Sequence, residues 1–287
     1  FELRGAGDYS SLTAHDNTTG FYAPSGALSG LVHDVVSWRN TTGVSWNGGA
    51  LQNSRIYGNT GTGLYLGYGN WNVSGLIIYD NVTGIHSQGY HTDNVIANNL
   101  VYDNRDRGVL LENVQTSNGT LFLLNNTVME LNADVIQITS NSKNIQFKNN
   151  ILWSGGSAHY VFNVASTAQN GFASDYNLLH FTGGAKLGLW QNDFNSLADW
   201  RYELGFDTHS LNTDPVFVDA DGADNVRGFQ DFAGLKFEYF ANGTGNFAGP
   251  PATTLYDRVI DFGSTGGAFR GLPGPGDAQS FRWTGEI

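Results

Sequence analysis

The sequence predicts an all-β protein that folds as a right-handed parallel β-helix, a solenoid with coils of about 20–27 residues. Three observations predict this fold: a composition rich in glycine and aromatic residues, a turn motif that recurs at this period, and short apolar strands without hairpin turns. The 287 residues include 38 glycines, and 14% are charged while 13% are aromatic. Helical proteins carry more Ala, Glu, Lys and Leu in periodic runs, so this composition favours strands and turns.

The recurring turn motif is a short Asn-Thr-Gly sequence. Residues 16–20 read Asp-Asn-Thr-Thr-Gly, residues 39–43 read Arg-Asn-Thr-Thr-Gly, and residues 80–84 read Asp-Asn-Val-Thr-Gly. Looser copies occur at residues 59–63 and 103–108, and the final glycines of successive copies are 20–24 residues apart. A fixed period of about 20–50 residues is typical of a solenoid.

An apolar strand precedes each turn, and a second strand follows it. The interior positions of the first strand are predicted to be Val36, Ile56, Ile78, Val101, Val128, Leu152 and Leu179. The second strand is predicted to begin at Val44, Leu64, Ile85, Val109, Val135 and Val161. The connections lack the two-residue Asn-Gly turns of hairpins, so each strand is expected to pair with its counterpart one coil away, about 4.8 Å along the axis.

Two asparagine columns fit this stacking. One contains Asn99, Asn126, Asn150 and Asn177, two residues before the interior apolar position, and the other contains Asn17, Asn40, Asn59, Asn81 and Asn104 within the turns. Asparagine tolerates the backbone of a bend, and its amide can both donate and accept hydrogen bonds along a stack. We therefore expect both columns to be structural.

The domain organisation is predicted to be a single elongated domain. Residues 1–185 would form the coils, and residues 186–287 would form the terminal coils and a segment that covers or caps them, with a short helix at residues 196–204 and an aromatic run at residues 229–247. The formal charge of −12 argues against nucleic acid as a partner. No apolar stretch reaches the length of a membrane span, so membrane insertion is not expected either.

The chain resembles the pectate-lyase-like superfamily of right-handed β-helices in residues 98–104 (Asn-Asn-Leu-Val-Tyr-Asp-Asn) and residues 149–152 (Asn-Asn-Ile-Leu). Residues 174–179, 205–211 and 214–218 resemble the closing segment of many secreted members. The resemblance implies the fold, an extracellular or cell-surface location and a polysaccharide partner. It leaves catalysis open, because the Asp-Pro-His-Asp motif of alginate epimerases and the paired aspartates of polygalacturonases are not found.

The residues beside the interior apolar column are expected to point outward and to form a mostly apolar face. Four aromatic residues on it, Tyr57, Tyr79, Tyr102 and Trp153, are candidates for stacking on sugar rings. The face is large enough to need a cover, which could be the C-terminal segment, a second copy of the chain or a sugar chain. An adjacent acidic column, Asp80, Asp103 and Glu130, is the candidate metal site, with Ca²⁺ as the expected ion. The same column could also act as an acid and base pair or be solvated turn residues.

Residues 85–93 (Ile-His-Ser-Gln-Gly-Tyr-His-Thr-Asp) form the candidate catalytic segment. They are expected to place His86, Tyr90 and His91 on one loop, close to Arg105 and Arg107. Such a set could remove a proton from a uronate, neutralise its carboxylate and protonate the departing oxygen, as a lyase or an epimerase requires.

Two functions are therefore predicted. One is a secreted or surface protein that binds an extracellular polysaccharide and processes it as a lyase, epimerase or hydrolase. The other is a non-catalytic adhesin, sheath or fibre subunit that assembles with copies of itself through its apolar face or its coil ends.

Overall fold

The computed structural model describes residues 1–116, 119–217, 235–240, 251, 253–257 and 280–284. By their internal contacts, the residues divide into two units, Phe1–Gly228 and Phe229–Ile287. The described part of the first unit is a parallel β-helix of eight coils, each of which contributes one strand to each of three parallel sheets. The fold predicted from the sequence is confirmed.

The strands of the three sheets are short, and each pairs with the strands one coil before and after it. The first sheet contains β1 (Asp8–Ser10), β4 (Leu31–His33), β7 (Gly49–Gln52), β10 (Trp71–Ser74), β13 (Val95–Ala97), β16 (Leu121–Leu124), β19 (Ile145–Lys148) and β22 (Phe172–Asp175). The second sheet contains β2 (Thr13–His15), β5 (Val36–Trp38), β8 (Arg55–Tyr57), β11 (Ile77–Tyr79), β14 (Leu100–Tyr102), β17 (Thr127–Glu130), β20 (Ile151–Ser154) and β23 (Leu178–Phe181). The third sheet contains β3 (Thr19–Ala23), β6 (Thr42–Trp46), β9 (Thr62–Leu66), β12 (Thr83–His91), β15 (Arg107–Thr116), β18 (Asp134–Thr139), β21 (Tyr160–Val164) and β24 (Lys186–Trp190), and β25 (Asn192–Phe194) adds an antiparallel strand to it.

The interior row of the second sheet has the predicted register over most of its length. Ile78 pairs with Ile56 on one side and with Val101 on the other, and all three side chains are fully buried. Each such aliphatic side chain contributes about 1.5–3 kcal/mol through removal of its surface from water. Stacking of like residues in successive coils therefore forms a continuous core.

Two predicted alignments are wrong by one residue. Ser37, and not Val36, lies in the interior row beside Ile56. Val109 pairs with Ile136 and Ile136 with Phe162, so Val135 and Val161 precede the positions assigned to them. In each case a valine stands directly before the paired position, and the apolar pattern of the sequence alone does not distinguish the two residues.

The corner between the second and third sheets is held by the predicted asparagine column. Each side-chain oxygen accepts two hydrogen bonds from the asparagine one coil earlier: Asn81 Oδ1 accepts from the backbone N of Asn59 at 3.2 Å and from Asn59 Nδ2 at 2.9 Å. The column runs from Asn17 to Asn104, and all its members except the first are buried. It satisfies corner amides that would otherwise be buried without partners.

The corner between the first and second sheets has an equivalent column. Asn99, Asn126 and Asn150 each donate Nδ2 to the next asparagine, with Nδ2–Oδ1 distances of 2.9, 3.1 and 3.0 Å. At its end, Asn177 donates to Asp207 Oδ1 at 3.2 Å. Both columns are therefore structural, as the sequence predicted.

A glycine column accompanies the asparagines at the corner between the second and third sheets. A Cβ atom on Gly20 would lie 2.5 Å from the carbonyl oxygen of Gly43 and 2.9 Å from Asn40 Nδ2, so only glycine fits there. The glycine column continues through Gly108. In the next coil, which follows the last asparagine of this ladder, the same position is occupied by Val135. Branched side chains thus enter the column where the asparagines end.

The predicted short helix is α1 (Leu197–Leu204), and it caps the last coil of the first unit. Its fully buried Trp200 packs against Phe162, Trp190 and Phe194. The indole nitrogen donates to the buried carboxylate of Asp207 at 3.0 Å. The closing segment therefore seals the apolar core. A 3₁₀ turn, Ser166–Ala168, follows β21.

The second unit is described only in part. It contains an antiparallel sheet in which β26 (Leu235–Phe240) lies between β27 (Thr253–Asp257) and β28 (Ser280–Thr284). Most of the predicted aromatic run at residues 229–247 lies outside the described residues, as do residues 218–234. The covering role predicted for the C-terminal segment stays a prediction.

Substitution of one ladder asparagine should destabilise the fold strongly. Asn81→Ala leaves the two donors of Asn59 without an acceptor in a buried corner, so we expect the free energy of unfolding to fall by about 2–4 kcal/mol. Urea denaturation of Asn81→Ala and of the exposed Asn72→Ala measures the difference. Equal midpoints for the two variants would contradict a stabilising ladder.

Candidate functional site

The outward side of the third sheet, here called the third-sheet face, carries a group of polar side chains. Alternate residues of a strand point to one side, and stacking brings one row into register: Tyr65 pairs with His86, His86 with Leu110, and Leu110 with Gln137. In the adjacent row, Gln88 pairs with Glu112. The face thus collects titratable and amide groups from consecutive coils.

His86 is at the centre of this group. Its Nε2 lies 3.2 Å from Glu112 Oε2, and its ring meets the edge of Tyr65 with 5.3 Å between ring centroids. Burial lowers the pKa of His86, and the neighbouring Glu112 carboxylate opposes that shift only in part. The imidazole is therefore neutral near pH 7 and can accept a proton.

Tyr65 and Gln88 extend the group on the side of the preceding coil. The Tyr65 hydroxyl donates to Gln88 Oε1 at 3.2 Å. Burial raises the pKa of Tyr65, and the nearby Tyr68 and Glu112 raise it further. The phenol therefore stays protonated and acts as a hydrogen-bond donor.

The two predicted arginines have different positions. Arg107 lies on the third-sheet face, where Nη1 donates to Gln137 Oε1 at 2.6 Å and Nη2 forms an ion pair with Asp106. Arg105 lies in the turn before β15, and its Nη2 donates to the backbone carbonyl of Asn59 at 2.9 Å. Arg105 therefore braces the turns of successive coils and does not join His86.

The predicted catalytic loop is a strand, and this corrects the sequence interpretation. Residues 85–91 belong to β12, which pairs with strands on both sides, and a bulge lies between Gln88 and Gly89. His86 points outward, whereas His91 is 2% exposed and packs against the edge of Trp71. Tyr90 is 62% exposed. The two imidazoles therefore face opposite sides of the sheet and cannot act on one substrate.

The predicted sugar-stacking column lies on the outward side of the second sheet. Tyr57, Tyr79 and Tyr102 stack face to face, with 4.9 and 5.1 Å between successive ring centroids. Tyr57 and Tyr102 are only 7% and 2% exposed. Trp153 is two coils beyond Tyr102 and meets the His180 ring edge-on. Binding of sugar by this column stays a prediction.

The predicted acidic column does not converge. Asp80 is exposed, and both Asp80 and Asp103 adopt left-handed turn conformations with φ of 52° and 48°. Glu130 is instead a buried strand residue that ends the asparagine ladder, because it accepts from the backbone N and Nδ2 of Asn104 at 2.8 and 2.9 Å. The three carboxylates do not fit a Ca²⁺ site, and no group of three or more potential metal-binding His, Cys, Asp or Glu residues occurs among the described residues.

Sequence reasoning placed His86 and Arg107 on this face and missed Tyr65, Gln88, Glu112 and Gln137. A usable signal existed, because the residue after each predicted start of the second strand must point outward. Reading that position gives Ser45, Tyr65, His86 and Leu110 directly.

A family model described as a right-handed β-helix region matches residues 25–175, more than half of the chain. The chain therefore belongs to the right-handed β-helix family. Among solved structures, it is similar to the A-module of the mannuronan C-5 epimerase AlgE4 from Azotobacter vinelandii, with 17% sequence identity and a TM-score of 0.50. The match covers 73% of this chain and 58% of that chain, and at this identity it establishes the fold alone.

A search of curated proteins found no match to the sequence. Among the described residues, no helix has both the length and the apolar character that crossing a bilayer requires.

The buried His91 should make the stability of the fold depend on pH. Burial lowers its pKa from 6.5 to about 4, so the unfolded chain binds a proton more readily than the folded one between these values. Stability should be full above pH 6.5 and decline by about 3 kcal/mol as the pH falls to 4. Urea denaturation from pH 4 to 8 should show a steeper loss for the wild type than for His91→Leu, and identical profiles would contradict this origin.

Proposed function

We propose that this chain is a secreted or surface β-helix protein that binds an extracellular polysaccharide along the third-sheet face. The observation that carries the proposal is the convergence of Tyr65, His86, Gln88 and Glu112 on one outward surface. Phenol, imidazole, amide and carboxylate groups together donate and accept hydrogen bonds, as the hydroxyl groups of a sugar require.

The shape of the solenoid supports a polymeric ligand. Its outward rows repeat at about 4.8 Å per coil, so one polymer can meet similar side chains on successive coils. Threonines continue the polar surface toward the N-terminal coils, with Thr19 paired to Thr42 and Thr62 paired to Thr83. The structural similarity to an enzyme named for its action on mannuronan is consistent with a polysaccharide ligand.

Processing of the bound polymer would depend on His86 and Glu112. A neutral imidazole 3.2 Å from a carboxylate can exchange a proton with a substrate, and the Tyr65 hydroxyl is close enough to orient the reacting sugar. These three residues replace the predicted set, because His91 is buried on the other side of the sheet and Arg105 is bound to turn carbonyls.

Self-assembly, the alternative function predicted from the sequence, has weaker support. It was predicted from the apolar outward side of the second sheet and from the coil ends, and assembly through the coil ends stays a prediction. In the single chain, Tyr57 and Tyr102 on that side are already 7% and 2% exposed. Their contribution to an interface between copies would therefore be small, since little further surface can be removed from water.

Removal of the His86 imidazole should weaken polysaccharide binding. We expect His86→Ala to reduce affinity about tenfold, which corresponds to loss of one or two hydrogen bonds. Affinity electrophoresis in gels that contain single polysaccharides measures retardation, and assays of reducing ends and of absorbance at about 235 nm test for cleavage. His180→Ala, on the outward side of the second sheet, is the matched control.

Loss of affinity in both variants, or in the control alone, would contradict binding at the third-sheet face. If no polysaccharide retards the wild-type chain, the proposed function is wrong.

A further inference from the structure

The cationic side chains of the third-sheet face are already paired with acids. Besides the two rows described above, the face has a third outward row, which contains Thr83, Arg107 and Asp134. Within the described residues, the three rows carry two cationic side chains, Arg107 and Lys186. Arg107 lies against Asp106, and Lys186 lies against Asp193. A carboxylate on a ligand would have to compete with these intramolecular partners, so each cation attracts it less than an unpaired one would.

Two further acids, Glu112 and Asp134, lie on the same face. Glu112 has His86 beside it, and burial keeps that imidazole neutral near pH 7. Asp134 accepts from the backbone N of Tyr160 at 2.9 Å and from Asn163 Nδ2 at 2.7 Å. The face therefore carries more carboxylates than cations, and the formal charge of the chain is −12. A polymer of uronates would be repelled.

Two exposed tyrosines, Tyr68 and Tyr90, lie side by side where the strands of this face end and are here called the tyrosine wall. Tyr68 follows β9, Tyr90 lies near the end of β12, and they are 52% and 62% exposed. Their ring centroids are 5.9 Å apart. The Tyr68 ring covers Gly89, since a Cβ there would lie 3.1 Å from it, and Tyr68 is near enough to Tyr65 to raise the pKa of that phenol. The tyrosine wall is therefore continuous with the polar group around His86.

We infer that the third-sheet face binds an uncharged, hydroxyl-rich glycan and that sugar rings of this glycan stack on Tyr68 and Tyr90. The inference rests on the proposed function and names the substrate class of the same site. Aromatic rings offer large apolar area to the C–H faces of sugars, while Tyr65, Gln88 and Glu112 supply hydrogen bonds to hydroxyl groups. Lyase and epimerase reactions, which act on uronates, do not fit this site.

The test compares neutral and uronate polymers with the complete chain. Gels with hydroxyethyl cellulose, galactomannan or arabinoxylan provide neutral ligands, and gels with alginate or polygalacturonate provide uronates. We expect retardation by at least one neutral polymer, little changed by salt, and none by the uronates. Tyr68→Ala and Tyr90→Ala should each weaken binding about tenfold. Tyr90→Phe, which keeps the ring, should stay within about threefold of the wild type.

Tyr202→Ala is the matched control, because Tyr202 is 92% exposed on α1. Circular dichroism and thermal midpoints establish that each variant is folded. Salt-sensitive binding of a uronate polymer without binding of a neutral one overturns the inference and leaves the proposed function standing. Binding of a neutral glycan that neither alanine variant weakens overturns the role of the tyrosine wall. If no polymer binds, the proposed function fails and this inference fails with it.

Discussion

The hydrogen-bonded stacking of asparagine side chains in ladders along two corners of the solenoid is the constraint on which the rest of the structure depends. A corner residue is buried, yet its backbone amide points along the axis and finds no strand partner there. The side-chain oxygen of the next asparagine accepts from this amide, as Asn104 does from Asn81 at 3.1 Å. An unsatisfied buried amide costs about 1–3 kcal/mol, so a slip of one residue at a single corner would be opposed by several such penalties. Each ladder therefore fixes the register of the strands that flank its corner over the coils that it spans.

The same constraint determines which residues can follow the corner. Beside the asparagines, the second residue of each third-sheet strand from β3 to β15 is glycine, because the amide of the neighbouring coil occupies the space of a Cβ. At Gly63 that atom would lie 2.7 Å from Asn81 Nδ2. The carboxylate of Glu130 accepts from Asn104 and ends the ladder, and Val135 and Val161 then fill the vacant position as buried residues. Glu130 therefore lies at the point where this corner changes from polar to apolar residues.

The sequence was sufficient for the period, for the pairing of each strand with its counterpart one coil away and for both ladders, because these depend on residue types that recur over several successive coils. It was insufficient where an expected loop is a strand, because neighbouring residues of a strand point to opposite sides of the sheet. His91 faces the core by this alternation, since it is an even number of residues after the inward-facing Ile85, although sequence proximity placed it beside Tyr90. Glu130 was misassigned for a related reason, since its column neighbours Asp80 and Asp103 adopt left-handed turns and Glu130 is an extended strand residue. Turn length and backbone conformation are set by contacts between coils, which a single sequence does not display.

The third-sheet face illustrates how a repetitive scaffold can carry a localised site. Ladders and core restrict the residue types at fixed positions over several coils, whereas outward positions are free to differ. In one outward row Thr62 and Thr83 are followed by Arg107, and in the neighbouring row Ser45 is followed by Tyr65, His86 and Leu110. These outward side chains lie on the side of the sheet opposite the buried inward rows, such as Leu64, Ile85 and Val109, and do not contribute to those rows. The proposed preference for an uncharged polymer would therefore depend on these outward residues alone, and the coils beneath them need not differ from those of other β-helices.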